Sequence, residues 1–115
     1  MKLFCADRIE KIAFSAFGEE NFVKGLKRLN VKTLVLCGIE CHVCVHQTAL
    51  DALSQGYHVQ VVADAVGSRT EENRKVGLDK MRQAGAIITS TEAAIFEILK
   101  RAGTEEFKEV LKIVK

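Results

Sequence analysis

The chain has 115 residues, 48% hydrophobic and 28% charged, a balance that suits one globular domain over residues 1–115 and excludes a disordered or fibrous polypeptide. Its 17 basic and 15 acidic residues are interspersed for a formal net charge of +2, so no basic stripe marks a nucleic-acid footprint. No run approaches the roughly 20 apolar residues of a membrane-spanning helix, and Met1-Lys2-Leu3-Phe4-Cys5 followed by charge lacks a signal-peptide pattern; a cytoplasmic protein with four reduced cysteines is expected.

In chain order, Ile9–Ala13 reads as a possible short strand and Glu19–Leu29 as a helix. Val31–Ile39 is the clearest strand, and its nearly continuous apolar centre predicts burial on both faces. A helix over about His42–Gln55 is closed by Gly56, and His58–Ala65 follows as a second strand. A helix over about Glu71–Ala84 is closed by Gly85, Ala86–Thr89 is a third strand, and a helix over about Thr91–Arg101 is closed by Gly103. Ser68 with Glu71, and Thr89 with Glu92, have capping-box spacing. Thr104 starts a last helix that carries Phe107, Val110 and Leu111 on one face. Short β-branched runs alternating with helices predict an α/β fold with a parallel sheet.

Chemistry concentrates in Cys37-Gly38-Ile39-Glu40-Cys41-His42-Val43-Cys44-Val45-His46, which spans a strand end and a helix start. Reacting groups collect outside the carboxyl ends of parallel strands, and the amides and dipole of a helix N-terminus stabilise a thiolate. The same amides can receive the oxyanion of a tetrahedral intermediate. Cys41 and Cys44 also make a Cys-x-x-Cys pair, but the cis-proline that thioredoxin-type folds place beside their disulfide cannot exist in a chain without proline. Cys41, Cys44, His42 and His46 are zinc-ligand types, yet one helix cannot easily aim four ligands at one ion, and no metal or cofactor is expected. His42 and His46 are therefore read as helix-surface or interface residues, Cys37 as a buried small hydrophobe, and Asp64 with Arg69 as a structural pair.

The run Gly38-Ile39-Glu40-Cys41-His42-Val43-Cys44-Val45-His46-Gln47-Thr48-Ala49-Leu50-Asp51 resembles the nucleophile motif of the isochorismatase-like cysteine hydrolases. The likeness continues through Gly56-Tyr57-His58-Val59, Val62 to Arg69, Gln83-Ala84-Gly85-Ala86, Thr91-Glu92 and Phe107-Lys108, about nine-tenths of the chain. It is nearer to the isochorismatase-domain branch that includes the YcaC-like hydrolases than to the nicotinamidases. The resemblance implies a three-layer α/β/α, Rossmann-like fold and a hydrolase acting on a small amide or related carbonyl compound. It makes Cys44 the attacking thiolate and places a cis peptide between Ile39 and Glu40, turning the amides of Glu40 and Cys44 toward one oxyanion site. Lys11-Ile12-Ala13-Phe14-Ser15-Ala16-Phe17 matches the family's lysine segment, in which Lys11 would stabilise the thiolate and hold substrate charge.

The family's third catalytic group is an aspartate closing a first strand, and the fold expected here is shortened at its N-terminus. Asp7 is the candidate for that role, without the strand and glutamine that accompany it in the family. The absent strand normally lies beside Thr33–Cys37. A bare edge on an apolar strand is an aggregation liability, to be covered by Ile9–Ala13, another protomer or another chain, so a homo-oligomer is expected. Two other readings accompany the hydrolase: a catalytically impaired remnant with a scaffold role, and a thiol redox protein.

Overall fold

Three parallel strands, β1 (Thr33–Ile39), β2 (His58–Gly67) and β3 (Ile87–Thr89), form one sheet in the order β1-β2-β3. The computed structural model describes residues 8–114. Helices α1 (Glu20–Leu29), α2 (His46–Ser54), α3 (Glu71–Ala84), α4 (Thr91–Leu99) and α5 (Glu105–Val114) complete the chain. A parallel pair cannot be joined by a tight turn, and here α2 carries the chain from β1 to β2 and α3 from β2 to β3.

Strand alternation sorts the residues of β2 between two layers. Val59 and Val61 enter the core beneath Ala49 and Ala52 of α2 and Leu78 and Met81 of α3. Gln60 faces the opposite side, where it shares a groove with Ala94 of α4. Helix α5 packs against α4, with Phe96 and Phe107 rings 6.1 Å apart. The result is a three-layer α/β fold with a parallel sheet. No helix of the described residues is long and apolar enough to cross a membrane.

Several local expectations need correcting. Residues 8–15 contain no strand, and Ile12, 98% exposed, does not pack on β1. Thr70, not Ser68, caps α3 by accepting the Asn73 amide, while the Ser68 hydroxyl is engaged by His42 Nδ1. Thr89 pairs with Val62 inside the sheet, so Ser90 takes over the cap of α4 and accepts the Ala93 amide. Helix α4 ends at Leu99, with Lys100 at positive φ, two residues before the expected end. Thr104 does cap the last helix, through the Phe107 amide.

The largest departure concerns β1. Among the described residues it pairs with β2 alone, and its odd-numbered residues are bare: Val35 is 51% exposed, Ile39 75%, and Cys37 is exposed rather than buried. Leu34 and Leu36 on the other face reach the α2–α3 core. Helix α4 lies over β2, so this side of β1 gains only the rim of a groove lined by Val35 and Ile98. Burial on both faces requires a neighbour on both faces, and β1 has one.

Helix α3 sits close to the turn that follows β1 because residue 77 is glycine. A Cβ there would lie 2.8 Å from the Cys41 carbonyl oxygen and 2.9 Å from His42 Cα, backbone atoms that cannot swing aside. Gly25 in α1 has nothing within 4 Å of its Cβ position. Gly77→Ala is therefore expected to cost about 1–3 kcal/mol through overpacking. Gly25→Ala, by contrast, is expected to stabilise by roughly 0.5–1 kcal/mol through helix propensity. Urea midpoints of the two variants should move in opposite directions, and a neutral Gly77→Ala would refute the close approach.

Candidate active site

At the carboxyl end of β1 the Ile39–Glu40 peptide is cis, and the chain enters a single π-helical turn, Cys41–Val45, that runs into α2. The Glu40 carbonyl accepts the amides of Val43 (3.1 Å) and Val45 (3.2 Å), which bend the backbone around Cys44. A continuous α-helix from His42 was expected; wide turns of this kind recur at functional sites. The isolated Gly77 inside the α3 pattern is the sequence feature that marks where backbone approaches backbone here.

Within this turn the two cysteines of the Cys-x-x-Cys pair have different surroundings. Cys41 is fully buried, its thiol donates to the Arg74 carbonyl at 3.4 Å, and burial pushes its pKa up. Such a thiol is a poor source of thiolate, which weighs against paired redox chemistry. Cys44 is partly exposed and lines a cavity of about 220 Å³. Lys11 lines the same cavity, together with Phe22, Leu36, Cys37 and Thr48.

Lys11 comes from a segment that has no regular structure until Ala16, so something else must hold it. Ser15 donates to Asp51 Oδ2 at 2.6 Å, and the Ala16 amide donates to Thr48 Oγ1 at 2.9 Å. Ser15 and Thr48 are both 8% exposed. Cys44, Thr48 and Asp51 are spaced i, i+4, i+7, one face of a helical path. Farther back in the segment, the Lys11 ammonium donates to the carbonyls of Ala13 and Phe14, each at 2.9 Å. Sequence reading passed over Ser15, Thr48 and Asp51 as anchors; their signal was the helical spacing from Cys44. Asp7 lies outside the described residues.

The loop after β2 buttresses the other side of the turn. His42 Nδ1 meets Ser68 Oγ at 2.9 Å, and Glu40 Oε1 accepts the amide of Arg69 (2.9 Å) and its Nε (3.1 Å). The Arg69 amide, with its guanidinium assisting, holds the Glu40 carboxyl below its ordinary range. Arg69 is thus committed to Glu40 and not to Asp64, which was expected to pair with it. Asp64 instead accepts the Thr91 amide (2.7 Å) and hydroxyl (3.0 Å) at the start of α4, and these bonds lower its pKa. Arg74 fastens the strand to α3 by donating to the carbonyls of Ala63 and Val66.

His46 was expected on the helix surface or at an interface, and the first of these is corrected. It is 9% exposed, and its Nε2 has no hydrogen-bond partner among the described residues. His42, His46, Cys41 and Cys44 thus have separate surroundings, and no three metal-binding side chains cluster among the described residues.

With this geometry in hand, comparison with known proteins is specific. Residues 2–93 match the isochorismatase domain, and the chain belongs to that family of hydrolases. It is 55% identical over 84 residues to the secreted isochorismatase effector Isc1 of Phytophthora sojae, covering 73% of this chain and 40% of the relative. The MAR1 ribonuclease of Caenorhabditis elegans superposes with a TM-score of 0.82 at 41% identity, over 90% of this chain and 53% of that one. The YcaC gene product of Escherichia coli, an octameric hydrolase of unknown specificity, gives a TM-score of 0.74 at 34% identity, over 82% and 45%. The chain spans about half the length of these relatives or less.

Burial, with a smaller contribution from the charge of Lys80, pushes the His46 pKa down. The unfolded chain titrates this imidazole near the usual value of about 6.5. Between the lowered folded value and about 6.5 only the unfolded state takes up the proton, so stability falls as pH drops through that window. The urea midpoint should decline between pH 7.5 and 5.5, and His46→Leu should flatten that decline. An unchanged slope in the variant would rule out His46 as its source.

Proposed function

We propose that the chain carries the nucleophile of a cysteine hydrolase acting on a small amide or a related carbonyl compound. The observation that supports this most is the shared cavity of Cys44 and Lys11, residues 33 positions apart in the chain. The Cys44 thiolate attacks the carbonyl carbon, forming a C–S bond, and the displaced electron pair resides on the oxygen between the amides of Glu40 and Cys44. Collapse breaks the C–N bond, and the amine leaves with the proton that the Cys44 thiol gave up on ionising, carried between them by the acid for which Asp7 is the candidate. Water then attacks the thioester, the C–S bond breaks, and a carboxylic acid is released with the thiol regenerated.

Two N–H groups of Lys11 are engaged by carbonyls of its own segment. The third serves the cavity, where its charge stabilises the thiolate and the oxyanion. A proton acceptor for the attacking water is the role assigned to Asp7. The apolar lining from Phe22, Leu36 and Ile39 suits a compact, weakly polar acyl group. No cofactor enters this chemistry.

The bare edge of β1 supports a second element of the reading, that the active form is a homo-oligomer in which this edge is covered. A reducing, cytoplasmic setting suits the free thiols Cys37, Cys41 and Cys44 among the described residues, although the Phytophthora relative is described as secreted.

A panel of small primary amides tests the chemistry. Slow hydrolysis is expected, with at least about a hundredfold loss in Cys44→Ala and a large loss in Lys11→Ala. Absence of any Cys44-dependent turnover would favour the scaffold reading. Light scattering tests assembly: a single species above monomer mass is expected, and a monodisperse monomer would contradict it.

A further inference from the structure

We infer that Asp51 and Thr48 are positioning residues for the Lys11 ammonium, an inference that rests on the reading of Cys44 and Lys11 given above. The segment bearing Lys11 has no secondary structure to fix it over residues 8–15. Its lysine holds its own backbone, at the carbonyls of Ala13 and Phe14. That backbone is fastened in turn to the cysteine-bearing helix, by Ser15 on Asp51 and by the Ala16 amide on Thr48. Asp51 and Thr48 thus set where the ammonium sits relative to Cys44.

The arrangement carries more than stability. A hydroxyl donating to a carboxylate is among the stronger neutral-to-charged hydrogen bonds, and Ser15 is buried, so loss of Asp51 leaves a hydroxyl without its acceptor. The bond links residues 36 positions apart, and its loss leaves a segment without ladder hydrogen bonds tied to the helix by the Ala16–Thr48 bond alone. Charge stabilisation of a thiolate falls off over a few ångströms, so a mobile ammonium loses most of its effect. Lys24, the next lysine along the chain, is paired with Glu20 on α1 and does not line the cavity.

The test is the rate of iodoacetamide alkylation of Cys44 at pH 6.5, followed by peptide mass spectrometry so that Cys37 does not contribute. Lys11→Ala should slow the reaction about tenfold. Asp51→Ala should slow it at least about fivefold, while Asp51→Asn, which keeps an acceptor oxygen, should stay within about twofold of the parent. In a Lys11→Ala background, Asp51→Ala should cause no further loss, whereas a purely structural role would lower both backgrounds alike. If Asp51→Ala does not fold, Thr48→Val compared with Thr48→Ser gives the same reading through the second anchor. Parent-like alkylation in Asp51→Ala beside a slowed Lys11→Ala overturns this inference alone. Equal rates in the parent and Lys11→Ala overturn the reading of the site, and this inference with it.

Discussion

Two hydrogen bonds organise the functional end of this molecule: Ser15 to Asp51, and the Ala16 amide to Thr48. They join an irregular segment to the helix that carries Cys44, and in the inference drawn above they set the place of Lys11. The acceptors sit one and two turns beyond the cysteine, so a helical repeat converts a sequence spacing into a common face. The turn itself is fixed independently. Gly77 lets α3 press on Cys41, while Glu40 and His42 are held by Arg69 and Ser68. The cavity is thus bounded by two separately anchored pieces of chain.

Strand β1 supports this site and is also the most exposed part of the sheet. Its even-numbered residues reach the core and its odd-numbered ones do not. Cavity residues Leu36 and Cys37 lie on opposite faces of that strand, so the cavity wraps around the edge that pairs with no strand among the described residues. Whatever covers the edge also borders the site. Assembly and chemistry are consequently linked in the proposed function, with a neighbouring strand restoring burial and narrowing the cavity together.

Much of this was legible beforehand because caps and periodicity are local. Gly85, at φ 113°, closes α3 where the pattern stopped, and Thr104 begins α5. The errors arose where local signals compete or where burial depends on neighbours. Ser68 and Thr70, or Thr89 and Ser90, are equally suitable caps, and the choice fell to which residue was already engaged elsewhere. Asp64 and Arg69 carry opposite charges at a plausible spacing, but each has a nearer partner. The apolar character of Cys37 suggested burial, yet among the described residues β1 pairs with β2 alone and this side of it is left exposed. The Cys44 turn was recognisable from its motif, whereas the anchoring roles of Thr48 and Asp51 depend on contacts across more than thirty positions.

The central claim is that Lys11 and Cys44 meet in one cavity in the folded protein. A short bifunctional reagent that joins an amine to a thiol, with cross-linked peptides identified by mass spectrometry, measures this directly. A Lys11–Cys44 link is expected as the dominant product from folded protein, disappearing in denaturing urea. A reactive Cys44 that links to other lysines and never to Lys11 would contradict it.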